Sequence, residues 1–196
     1  MPRDQYHHGD LAQQARETAR AVLDEHGDAA ISLRALARQL GVTPPALYRH
    51  FSDRETLLAE LAADGFRQLT AALHEVPPEP PRDALIGIGV TYVHFAHQHP
   101  NCYRLMFGGG VLPRGVHSQL DDAGRAAFAV LEHTICRARD AGYLRDDHPV
   151  PQLTAAAWAL VHGLSLLCID GHLGPQVMPD LLAAQLGALL LDGTAR

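Results

Sequence analysis

Three residues, Gly41, Val42 and Thr43, separate two short amphipathic segments, and no other feature constrains the fold of this chain as tightly. Leu33, Leu36, Ala37 and Leu40 keep the i, i+3, i+4, i+7 rhythm of a helix over 33–40 that buries one face. Gly41 suits the chain reversal after it, because glycine accepts the left-handed backbone that ends many helices. Thr43 is a good N-cap for a second helix over 44–50. Pro44 and Pro45 then fill the first two helical positions, where N–H groups have no partner inside the helix in any case. With no N–H at position 45, the Thr43 hydroxyl is left the N–H of Ala46. A connection this short forces a steep crossing and predicts a helix-turn-helix.

The second helix has two unlike faces. Leu47 and Phe51, four apart, should lock onto Leu36, Leu40 and the first helix of the chain. Pro45, Tyr48 and Arg49 share the other face by i, i+3 and i+4 spacing, with Ala46 beside them. That face is poor for packing and good for a DNA major groove. Arg49 suits a guanine edge, and Pro45 and Ala46 a thymine methyl. Tyr48 and His50 suit phosphates, and Arg54 should reach the same strand. Ser32 and Arg34, at the start of helix 33–40, lie beside N-terminal N–H groups that favour a phosphate.

Charge is distributed to match. No Lys occurs, so all 16 basic groups are Arg, and the net charge is −6. Residues 29–54 carry Arg34, Arg38, Arg49 and Arg54 against Asp53 alone, a local +3 that leaves −9 on the remainder. A basic patch on an acidic body binds phosphates while discouraging indiscriminate association.

The rest reads as helix, with no alternating β-branched runs to predict strands. Leu11, Ala15, Ala19, Val22 and Leu23 form one stripe ended by Gly27. Ser52, with Glu55 three residues on, predicts a capping box opening a helix over about 52–74. That helix stops before Val76–Arg82, where four prolines fall in five residues. These signals predict a DNA-binding domain over 1–55, the connecting helix, and a second helical domain over 75–196. Helices in the latter should span about 83–98, 101–107, 117–141, 151–170 and 176–191. An apolar share of 47% is ample for a core.

Residues 153–169 are apolar around the whole helical circumference, and 176–191 nearly so. Such helices need burial on every side, which predicts a homodimer through helices about 151–170 and 176–191, paired as a four-helix bundle. Tyr92, Phe95, Tyr103, Met106, Phe107, Trp158 and His162 are the residues that would line a largely apolar cavity for an unidentified small-molecule effector. Only His94 and His97 of the histidines near 94–99 share a face, without an acid or thiol placed with them, so no metal site is expected. No catalytic set and no cofactor-binding loop is visible. Cys102, Cys136 and Cys168 have neither disulfide nor zinc spacing. The N-terminus lacks the apolar core of a signal peptide. The apolar stretch 153–169 falls short of a comfortable membrane span. A soluble, cytoplasmic protein is expected.

The run 31–61, "ISLRALARQLGVTPPALYRHFSDRETLLAEL", resembles the DNA-binding region of the TetR family of bacterial transcriptional repressors. The resemblance is close over residues 6–70. It implies phosphate contacts from Ser32, Thr43, Tyr48, His50 and Arg54, and base contacts from Arg34, Pro44, Pro45, Ala46 and Arg49. Family members often carry Lys where Arg54 stands, and the double proline removes a backbone donor at 45. Further on, Trp158, His162 and Gly163 in "WALVHG", together with 92–107, are similar to a regulatory-domain subgroup named for a Trp-His-Gly signature. The fold implied is all-α, an N-terminal three-helix helix-turn-helix domain plus a helical C-terminal ligand-sensing and dimerisation domain. The function implied is a dimeric repressor that binds a palindromic double-stranded DNA operator and is released by an effector. A DNA-binding regulator without a ligand, and a helical metal-dependent enzyme with a vestigial helix-turn-helix, are the other readings the residues leave open.

Overall fold

The structure, a computed structural model, describes residues 8–108, 112–113 and 115–194. They form nine α-helices and, among the described residues, no extended strand. The helices are α1 (His8–His26), α2 (Leu33–Gln39), α3 (Pro44–Tyr48), α4 (Arg54–His74), α5 (Pro81–Gln98), α6 (Pro100–Phe107), α7 (Ser118–Asp140), α8 (Val150–Ile169) and α9 (Pro179–Asp192). A single 3-10 turn, Asp28–Ala30, joins α1 to α2. The all-α expectation holds.

The chain divides into two compact units. The first takes the described parts of 1–65 and 101–122, the second those of 66–100 and 123–196. Both α4 and α7 pass from one unit into the other. The first unit gains α6 because Gly65 has no side chain. A Cβ at 65 would lie 2.7 Å from the sulfurs of both Cys102 and Met106. Arg20 Nη1 donates to the Cys102 Sγ at 2.9 Å, and burial pushes that thiol's pKa up, against the pull of Arg20.

The reading head is built on a buried stripe. Ala15, Ala19 and Leu23 of α1, Leu36 and Ala37 of α2, Leu47 of α3, and Phe51 are each at most 2% exposed. The α2–α3 turn is a Schellman closure on Gly41, whose φ of +68° only glycine adopts freely. Val42 N–H donates to Ala37 O and Gly41 N–H to Arg38 O. Leu40, expected in the core, is only half-buried because it is the capping residue of α2.

Two local expectations are corrected. The Thr43 hydroxyl makes no capping bond; the Ala46 N–H is taken by the Thr43 carbonyl at 2.9 Å. The capping box at Ser52 and Glu55 does not form, and the cap falls one residue later. The Asp53 carboxylate accepts from Thr56 N–H at 2.7 Å and from the Thr56 hydroxyl at 2.8 Å. A carboxylate outcompetes a neighbouring hydroxyl there, because its charge faces the positive end of the helix dipole. Glu55 pairs instead with His117 Nε2, at 3.0 Å. α8, at 20 residues, starts earlier than the apolar stretch and has the length and composition of a membrane span, a test that the core helix of a soluble protein also passes.

The second unit is organised by α5, which packs on both α8 and α9. Two buried clusters hold it, one around Ile135, Leu144 and Leu191, the other around Val93, Leu164 and Ala183. Arg145 N–H donates to Thr194 O, fastening the α7–α8 connection to the end of α9.

Bonding from Thr56 holds the Asp53 carboxyl below its ordinary value. Its contribution to stability is therefore complete above about pH 4 and is lost as pH falls through the lowered folded value. Asp53→Ala is expected to lower stability by about 1 kcal/mol at neutral pH. The difference from the parent should shrink in urea titrations near pH 3.

Candidate nucleic-acid interface

Seen from its solvent side, the helix-turn-helix presents Arg34 and Arg38 of α2 with its N-cap Ser32, then Pro44, Pro45 and Tyr48 of α3 with its capping residues Thr43 and Arg49, all exposed. Ala46 and His50 are half-buried between this surface and the core. Tyr48 is 45% exposed although it is large and aromatic, which a packing role would not leave. Neither Ser32 nor Thr43 uses its hydroxyl to cap its own helix. Arg38, one helical turn beyond Arg34, adds a cation that the motif did not single out. Its signal was the four-residue spacing from Arg34.

Arg54 is placed differently from a free phosphate-reaching arginine. Its Nε donates to Ile31 O at 3.0 Å, and Nη2 donates to the backbone carbonyl of Asp28 and to its carboxylate, the latter at 3.2 Å. The guanidinium thus ties the first turn of α4 to the segment that leads into α2. Its side chain stays 40% exposed. These bonds brace the entry to α2 on which Ser32 and Arg34 stand.

The seven residues expected around an effector fall into two groups, one in each unit. In the second unit Tyr92 and Phe95 are buried. Tyr92 Oη lies 3.2 Å from His162 Nδ1, and Trp158 stacks at a tilt on His162, ring centroids 5.5 Å apart. Burial lowers the His162 pKa, which favours a neutral ring whose Nδ1 can accept a hydrogen bond from the Tyr92 hydroxyl. Phe128, not anticipated, meets Trp158 edge-on at 5.8 Å. In the first unit Tyr103 and Met106 are buried in α6, with Phe107 tilted against Tyr103 at 4.8 Å. His94 Nδ1 pairs with Asp180 Oδ2 at 2.9 Å, linking α5 to α9. The glycines at 87 and 89 serve packing: a Cβ at 87 would come within 2.8 Å of Val76.

Comparison with known proteins agrees with this geometry. The family model described as bacterial regulatory proteins, tetR family, matches residues 16–61, and the tetracyclin repressor-like C-terminal domain matches residues 85–190. The uncharacterized HTH-type transcriptional regulator YobS of Bacillus subtilis is 32% identical over 88 residues, 44% of this chain and 46% of that protein. The HTH-type transcriptional regulator Mb1846 of Mycobacterium bovis is 31% identical over 119 residues, 59% of this chain and 50% of that protein. The chain thus spans about half the length of the curated relatives it matches. A protein of unknown function from Rhodococcus sp. RHA1 has a solved structure with TM-score 0.87 and 31% identity, covering 99% of this chain and 100% of that one.

Arg54→Ala is expected to destabilise the reading head by about 1–2 kcal/mol, the loss of charge-assisted bonds discounted for their partial exposure. Urea unfolding of the two proteins measures it.

Proposed function

We propose a repressor's mode of action for this chain, which belongs to the TetR family of DNA-binding transcriptional regulators. It works as a homodimer in the cytoplasm, each protomer placing α3 in the major groove of half a palindromic operator, until a small-molecule effector releases it. The observation that carries this reading is the exposed Pro-Tyr-Arg face of α3 above a fully buried Leu47. Arg49 would read a guanine and Pro44, Pro45 and Ala46 the thymine methyls. Ser32, Thr43, Tyr48 and His50, with Arg34 and Arg38, would meet phosphates and neighbouring base edges. Arg54 would act from behind, through the brace it forms.

The dimer is supported by what the second unit leaves uncovered. Leu167 of α8 and Leu181 and Leu189 of α9 are 44%, 51% and 68% exposed. Of the twenty residues of α8 only Thr154, Leu164 and Ser165 are buried. Matching helices from a second protomer would cover these faces, and this accounts for α8's apolar composition without a membrane. The effector would bind in the second unit near Tyr92, Phe95, Trp158 and His162. Because α5 runs directly into α6, its binding would be felt along the chain at Tyr103, Met106 and Phe107. An effector shifts the equilibrium only by its differential affinity for the two forms.

Arg49→Ala is expected to relax preference at one base pair of each half-site, a loss of about 1–3 kcal/mol of discrimination. Arg38→Ala should weaken all sequences alike and lower the salt slope by about one. Operator selection from random duplexes, followed by salt-dependent binding, separates the two. Leu189→Glu should yield monomers in sedimentation and lose most operator affinity; a dimer unchanged by it would remove α9 from the interface.

A further inference from the structure

The proline run between α4 and α5 borders a cavity of about 300 Å³ that lies within the second unit and is separate from the cluster around His162. Leu73, Ala84, Ile88 and Val130 give it an apolar lining, and all four are buried. Pro77, Pro78 and Pro81 form another wall. Proline has almost no side-chain freedom to lose, so that wall is set before any ligand arrives. Gly87 keeps it close: Val76 packs where a Cβ at 87 would stand, 2.8 Å away.

The polar part of the lining is biased in one direction. His74, His133 and Arg137 face a single acid, Glu79. Arg137 Nη2 holds Glu79 Oε1 at 3.2 Å, with the two side chains 55% and 60% exposed. An ion pair that open to water is weak and easily exchanged. An incoming carboxylate finds the planar fork of Arg137 suited to two parallel hydrogen bonds. The imidazoles at 74 and 133 offer N–H donors in either protonation state. One guanidinium matches one negative charge, and the volume stands at the small end of ligand sites.

We propose that this cavity binds a small organic carboxylic acid, its apolar body against Leu73, Ile88 and the prolines and its carboxylate on Arg137 in place of Glu79. The inference rests on the reading of the second unit as a sensor and adds to it a second ligand site, apart from the one proposed at His162.

Calorimetry on the full chain tests it with sodium octanoate and, as a neutral match, octanamide. Octanoate should bind once per protomer, about tenfold tighter than octanamide. Arg137→Gln should abolish that advantage, whereas Glu79→Gln, which removes the competing carboxylate, should tighten octanoate binding. A role confined to structure would weaken binding in both variants. Equal affinity for acid and amide, or octanoate binding untouched by Arg137→Gln, would overturn the proposal. So would a protein that binds its selected operator and ignores octanoate, and that result leaves the regulator reading intact. Octanoate bound as described by a protein that selects no operator would uphold the site and sink the regulator instead.

Discussion

Everything the reading head can do depends on the burial of Leu47 and Phe51, 0% and 1% exposed. A helix of five residues has no stability of its own, since nucleation alone exceeds what so few bonds return. α3 persists because it is pinned from behind, onto α1 and α2, with each buried side chain contributing about 1.5–3 kcal/mol. The Gly41 closure sets the angle at which it leaves α2, and the prolines at 44 and 45 stiffen its first turn. Once the inner side is full, Pro44, Pro45, Tyr48 and Arg49 have only solvent, or DNA, to face. Arg54 extends the same logic by fixing the chain before α2 from the opposite flank.

The second unit applies burial in the reverse sense. α5 is well covered, while α8 and α9 keep apolar side chains in water that a lone protomer does not shelter. The homodimer proposed above would supply the helices that cover such faces. In that proposed dimer two reading heads would sit at a fixed spacing and would select a palindrome together. The acidic charge outside residues 29–54 discourages the rest of the protein from joining the contact.

The elements visible in the sequence were those written in local signals. Periodicity and the proline and glycine stops gave α5 as 83–98 where it runs Pro81–Gln98, and α7 as 117–141 where it runs Ser118–Asp140. The exposed face of α3 followed from spacing alone. What escaped depends on contacts between distant residues. Arg54 meets Asp28 and Ile31, more than twenty residues away, so nothing beside it hinted at a brace. The cap moved from Ser52 to Asp53 because two competent acceptors stand side by side and His117 draws Glu55 elsewhere. Tyr103, Met106 and Phe107 were grouped with Trp158 by chemistry, whereas the close approach at Gly65 that gathers α6 into the first unit leaves no local trace.

The most direct test asks whether α3 lies in the major groove of DNA. Dimethyl sulfate methylates guanine N7 there, so its reaction with a selected operator reports contact in that groove. Two protected patches are expected, centred about one helical turn apart, each losing protection at one guanine when Arg49 is changed to Ala. Guanines that stay fully reactive under saturating protein, or protection indifferent to Arg49, would contradict that placement of α3.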